Sequence, residues 1–218
     1  MAEEIILDGR LGLFHKSERW LAVADLHFGY ELSQRAAGAL VPMWGMATIS
    51  ERLAELVDTY APERLIVLGD LVHDKTAARE AGQLLRKLSE RCEVVVVAGN
   101  HDRQLRGQIE MVDSVETDRF HFHHGHCAVE TGHRIQIIGH HHPAAVITDG
   151  AGTRLKCPAF VQQSSCWIMP AFSPWASGAR WAPDESSRVW LCTADRVFQL
   201  DPCGRRPVGG ETVATCAN

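Results

Sequence analysis

Residues 20–29 read WLAVADLHFG, an apolar run that closes on Asp25 and His27. A short run of this kind reads as a strand covered on both faces. The pattern recurs: RLIVLGD (64–70) closes on Gly69-Asp70, and CEVVVVAGNHD (92–102) on Gly99-Asn100-His101-Asp102. Helical stretches lie between. In TISERLAELVDTY (48–60), Ile49, Leu53, Leu56, Val57 and Tyr60 recur at helical spacing; Thr48 and Glu51 match a capping box, and Pro62 ends the run. AAREAGQLLRKLSER (77–91) predicts a second helix. Strand, helix, strand, helix, strand predicts a sheet with parallel crossovers. In such sheets the carboxyl ends of the strands gather at one edge, where ligands bind.

After about residue 119 the pattern turns to strands and turns. RFHFHHGH, HRIQIIGHHHP, AAVITDGAGTRLKCPAF, SCWIMPAF and RVWLCTADRVFQL read as β, with DGAG and TAD as turns. No linker divides the halves, so residues 1–203 are expected to form two sheets in one domain. Residues 204–218 lack periodicity and read as a loosely held tail.

IQIIGHHHPAA (135–145) poses a chemical question, because three imidazoles in a row, His140 to His142, fill a strand end poorly. They bind a metal well if other ligands converge there. The earlier strand ends offer Asp25 and His27, Asp70, and Asn100; a later one offers His124. Carboxylate, amide and imidazole donors without thiolates suit Mn²⁺, Fe or Zn²⁺. Two such ions would clamp a phosphoryl group.

In this order, D-x-H, G-D, G-N-H-D, H-G-H and G-H-x-H resemble the five motifs of the calcineurin-like metallophosphoesterase superfamily, from about Leu21 to Pro143. The resemblance implies a four-layer α/β/β/α sandwich of two mixed sheets. It implies that Asp25, His27 and His142 ligate one metal, that Asn100, His124 and His140 ligate the other, and that Asp70 bridges. It further implies in-line attack on phosphorus by a water activated in this centre. His101 would protonate the leaving oxygen, oriented by Asp102 through a carboxylate–imidazole contact. ADLHFGYE, RAAG, VP, GHHHPA, KCPAF and PAFSPWASG further resemble the SbcD-related, DNA ligase-associated phosphoesterases, the PdeM group. That narrower resemblance implies a Mn²⁺-dependent nuclease acting on DNA in repair, with ligase or helicase partners; a single strand is the form of DNA expected as substrate. No DNA-end-capping domain is expected, and a small-molecule phosphodiesterase or nucleotide hydrolase, or a catalytically silent scaffold of the same fold, are the rival readings.

Residues beside the site carry two readings each. His73 reaches the substrate or is a surface histidine; Arg35 binds a substrate phosphate or lies on a helix surface. His141 should point away from the metals. His126 supports a ligand or caps a turn, and His121 and His123 are sheet residues. His124 shares strand parity with Phe120 and Phe122, so a break near Gly125 is needed to turn it inward. Trp44, in VPMWGM, stacks on a base or plugs a helix start, whereas Trp167, Trp175, Trp181 and Trp190 read as core or rim. Cys92, Cys157, Cys166 and Cys192 read as buried packing residues.

Composition bounds the rest. The net charge of −5 shows no basic excess and does not favour duplex binding, although Arg35, Arg103 and Arg106 could line a local groove. No apolar run approaches ~20 residues, so no membrane span is expected. Acids near the N-terminus argue against a signal peptide. Seven cysteines without C-x-x-C spacing predict reduced thiols in the cytoplasm.

Overall fold

A computed structural model describes residues 5–105, 107–130, 132–148, 151–182, 186–194 and 196–201. The expected C-terminal tail, Arg106 and the first half of the DGAG turn lie outside these residues. The chain order is β1 (Ile5–Asp8), β2 (Gly12–His15), β3 (Trp20–Ala24), α1 (Tyr30–Ala36), α2 (Gly45–Tyr60), β4 (Arg64–Leu68), α3 (Ala78–Ser89) and β5 (Glu93–Val97). There follow β6 (Ser114–Glu116), β7 (Phe120–His123), β8 (Ile135–Ile138), β9 (Pro143–Thr148), β10 (Arg154–Gln163) and β11 (Cys166–Ile168). β12 (Ala179–Arg180), β13 (Ser187–Cys192) and β14 (Val197–Gln199) complete it.

The first sheet has the order β1-β2-β3-β4-β5. Its last three strands are parallel, in the register Trp20–Arg64–Glu93. Both crossovers step in one direction, so right-handed connections place α2 and α3 on the same face. Leu21 and Leu56 meet around Gly12 on that side. The opposite face meets the second sheet. There Trp20 stacks on His15 with centroids 5.2 Å apart and takes the edges of Phe120 and Phe122 at 5.0 and 4.9 Å.

The second sheet runs β12-β9-β10-β11-β8-β7-β6, with β13 also pairing with β10 and β14 with β13. β7, β8 and β11 are parallel and the flanking pairs mostly antiparallel. Along β10, Phe160 enters the core between the sheets, while Ala159 and Val161 join a second apolar cluster with Ile168 and Leu191. This alternation is what a strand buried on both faces requires. The α/β class with two mixed sheets face to face is the expected one. Among the described residues no α-helix follows Ser89, and no helix is long and apolar enough to cross a membrane.

The expected start of α2 was three residues late. The helix begins at Gly45, and Thr48 lies inside it. Its cap is tertiary: buried Glu31 of α1 accepts from Met46 N–H at 2.7 Å, placing a carboxylate on the free amides and positive dipole end. At the other end Ala61 is left-handed just before Pro62, a common way to stop a helix.

The β1–β2 hairpin, which carries too few apolar residues in a row to be read as strands, is tied to α2 by an ionic network. Asp8 accepts from Arg10 Nη2 and from the Tyr60 hydroxyl, both at 2.7 Å. Burial pushes the Asp8 carboxyl up, but these bonds outweigh it and hold it below its ordinary value. A lowered carboxylate pKa stabilises the fold above the unfolded value of 3.8 and loses that contribution as pH falls through the folded value. Asp8→Asn should therefore cost about 1–2 kcal/mol at neutral pH. In urea titrations the gap between the two proteins should close as the pH drops below 3.8.

Candidate active site

After β3, β4 and β8 the polar strand ends converge where the backbone turns sharply. Asp25 (φ 54°), His27 (42°), Asp70 (47°), His140 (67°) and His142 (44°) all adopt the left-handed region. For non-glycine residues this costs about 1–3 kcal/mol each and persists only where surroundings impose it, commonly at functional sites. Here the surroundings are hydrogen bonds between strand ends. Asp25 N–H donates to Gly69 O at 3.2 Å, His27 N–H to Asp70 O at 2.9 Å, and Ser173 N–H to Asp25 O at 3.2 Å.

Two groups of donor atoms result, sharing one carboxylate. Asp25, His27, Asp70 and His142 bring one atom each within 4.8 Å of one another, and Asp70, His124 and His140 do the same. Asn100 joins the second group, its Oδ1 lying 3.2 Å from His124 Nε2. His124 Nδ1 sits 3.0 Å from the Leu68 carbonyl, which can only accept, so Nδ1 donates there. Nε2 is left to face Asp70 Oδ2 at 3.5 Å. Metal-binding imidazoles are commonly oriented in this way.

The donor set fits two divalent cations. Asp25 is fully buried, yet its Oδ1 accepts no hydrogen bond. His142 Nε2 lies 3.2 Å from it, outside hydrogen-bond geometry. A buried carboxylate oxygen without a partner is costly unless a cation supplies one. Burial, reinforced by His142, His101 and His73, pushes the His27 imidazole down to about 3 against the pull of Asp70. His27 is thus neutral at ordinary pH, the ligating form. Burial alone would lift the Asp70 carboxyl; the hydrogen bond and charge of His124, with the His101 N–H and His27, hold it far below its ordinary value.

The motif glycines leave room for these ligands. A Cβ at Gly99 would lie 2.2 Å from the Asp70 nitrogen and Oδ1, and one at Gly69 2.2 Å from His124 Nδ1. At Gly139 it would meet Asp25 Oδ2 at 2.7 Å. His124 itself comes inward by parity, not despite it. Phe120 and Phe122 face the first sheet, and His124, one step past the end of β7, continues on their side.

His101 borders the cleft together with His27, His73 and His142. Its N–H donates to Asp70 Oδ1 at 2.9 Å, and its Nδ1 is 3.1 Å from the His73 carbonyl. That carbonyl, and not Asp102, orients the ring. Asp102 is buried behind the loop, where it accepts from Gly99 N–H at 2.9 Å and Val72 N–H at 3.3 Å. The expected Asp102–imidazole contact is therefore replaced by one in which Asp102 holds the backbone that carries Asn100 and His101.

His73 enters the cleft, its ring stacked 5.6 Å from that of His101. Arg35 does not. It is exposed in the last turn of α1, with Nη1 3.4 Å from the Val41 carbonyl. Five residues rotate it about 140° around the helix from Tyr30, which does line the cleft. His141 is exposed and points to Trp181, with centroids 6.4 Å apart. His126 is exposed beside His124. His121 and His123 are buried in the sheet, His123 Nε2 lying 3.2 Å from Gln136 Oε1. Tyr30 and Trp175 also line the cleft. The sequence carried no local sign of this, since the Trp175 indole N–H is held by Glu31, 144 residues away, at 3.1 Å.

No curated protein matches the chain. Among solved structures, the crystal structure of the nuclease MPE from Pseudomonas putida is 27% identical, with a TM-score of 0.70, over 92% of this chain and 99% of that one. Residues 19–149 match the family described as calcineurin-like phosphoesterase, a span that holds every converging strand end from Asp25 to His142. A match over more than half the chain, on the residues that meet at this sheet edge, means that the chain belongs to the calcineurin-like phosphoesterase family.

Proposed function

We propose that the chain is a metal-dependent phosphodiesterase that cuts single-stranded DNA, in a repair setting with ligase or helicase partners. The observation that carries this reading is the pair of donor clusters sharing Asp70, with His101 at the cleft side of the same carboxylate. The similarity to a nuclease along nearly the whole of both chains supports the choice of nucleic acid. Two Mn²⁺ ions suit the mixed nitrogen and oxygen donors. Among the described residues all five cysteines are free, which fits a reducing compartment such as the cytoplasm.

Asp25, His27, Asp70 and His142 would hold one ion, and Asp70, Asn100, His124 and His140 the other. Bound divalent ions supply Lewis-acid activation of water and of phosphoryl oxygens. The chain supplies the proton. Because His101 Nδ1–H is committed to the His73 carbonyl, a proton carried on Nε2 is the one that can pass to a leaving oxygen. The same bond fixes the ring before substrate arrives, and His73, stacked beside it, narrows the positions a phosphate can take.

The test of the substrate is a side-by-side assay with Mn²⁺ of an aryl phosphodiester, an aryl phosphomonoester and single-stranded DNA. Cleavage of the diester and of DNA, abolished by chelator, is the expected result. Turnover of the small diester with no cut strand would replace this reading with a small-molecule phosphodiesterase, which the net charge of −5 also accommodates.

Two substitutions separate binding from chemistry. Asp70→Asn, which alters the shared ligand, should weaken metal retention by at least about 10²-fold; elemental analysis after gel filtration should find the wild-type chain with two ions and the variant depleted. His101→Ala should retain both ions yet slow DNA cleavage by roughly 10²–10⁴-fold, the range for losing a general acid. The loss should be smaller for an aryl diester, whose leaving group needs little protonation. Equal losses on both substrates would reduce His101 to a phosphate-positioning group.

A further inference from the structure

An aromatic wall runs from the cleft to the surface. The ring of Tyr30 packs edge-on to that of His73 with centroids 4.8 Å apart, and Trp175 stacks on Tyr30 at 5.6 Å. Trp44 lies against Trp175 at 4.7 Å, tilted by 33°, and is itself 44% exposed. It ends the connection between α1 and α2, where Leu40 and Met43 are exposed as well.

The wall is built to be rigid. Fully buried Glu31 uses one carboxylate oxygen for Met46 N–H and the other for the Trp175 indole N–H. Gly45 leaves the space, since a Cβ there would lie 2.1 Å from Trp175 Nε1. A bulky indole wedged against a glycine and tied by a buried carboxylate is costly to assemble if its task is only to fill a rim. The cleft that it borders also contains His27, His101 and His142, and its volume of about 500 Å³ is ample for a ligand larger than a phosphate.

We infer that Trp44 and Trp175 form a base-stacking subsite, which holds an unpaired nucleobase next to the phosphate at the metal centre. Every base offers a π-face, so such a platform accepts single strands without sequence preference. A duplex keeps its bases stacked on one another and offers none to it. The wall therefore supplies affinity for a single strand in a chain with no basic excess. This rests on the proposed nuclease reading, and it names what selects the substrate.

The test uses His101→Ala protein loaded with Mn²⁺, so that the strand stays uncut. It measures the Kd of a labelled short oligothymidylate and of an equally long strand of abasic residues. Trp44→Ala should raise the Kd of the oligothymidylate roughly 5- to 150-fold, the range for one lost base–aromatic stack. Trp44→Phe should keep most of the affinity, and Trp44→Leu should behave as alanine. The abasic strand should respond to these changes by less than about twofold. Trp175→Leu provides a second position should Trp44 variants unfold, and should weaken the base-bearing strand selectively. Oligouridylate in the same assay distinguishes RNA from DNA as the source of the base. Equal effects on both strands, a leucine as good as phenylalanine, or no binding of the oligothymidylate would each overturn the subsite. Wild-type protein that binds through Trp44 and hydrolyses an aryl diester, but leaves the strand whole, would overturn the nuclease reading while the subsite stands.

Discussion

The Asp70 carboxylate is the constraint around which this molecule is arranged. It belongs to both donor clusters, accepts the His101 N–H, and sits against Gly99 with no space for another atom. To place it there the chain must leave β4 through a left-handed turn, which is energetically unfavourable for aspartate. That cost is met by hydrogen bonds that run between the ends of neighbouring strands. The parallel register of β3, β4 and β5 is what puts those ends side by side.

The second sheet contributes what the first lacks. β7 and β8 run parallel to each other and end at the same edge, delivering His124, His140 and His142 from the opposite side. The core between the sheets sets the distance. Trp20, Phe120 and Phe122 interlock there, and His124 continues the inward face of β7 until it reaches Asp70. Packing and ligand placement are thus one problem: a shift of the aromatic core would move imidazoles relative to carboxylates.

Glu31 shows the same economy on a smaller scale. One buried carboxylate caps α2 from a distance and holds Trp175 at the cleft, so the helix start and the aromatic wall are fixed together. The structural role of Asp102 is comparable, because it ties Gly99 and Val72 together beneath the loop of Asn100 and His101.

Much of the architecture is legible in the sequence because the signals are local. Apolar runs ending in Asp25, Asp70 and Asn100 announce three strands and where their polar ends meet, though β5, at the sheet edge, is only half buried. The spacing of Ile49, Leu53 and Leu56 announces a helix. The gathering of Asp25, His27, Asp70, His140 and His142 could be anticipated from the order of strand ends, whereas for His124 a break near Gly125 was expected and parity alone brings it in. Other features depend on partners far along the chain. The start of α2 depends on a cap from Glu31, and the role of Asp102 on backbone amides that the loop folds over it. Of the two readings of Arg35 the structure takes the helix surface, because the rotation of α1 carries it away from the cleft. Trp175 looked like filler because Gly45, Glu31 and Tyr30 are distant in sequence. The sequence by itself determined which strands form and which donor atoms their ends carry, since burial and spacing are written residue by residue. Only the tertiary structure decided which of those groups face one another, because backbone turns and distant contacts aim each side chain.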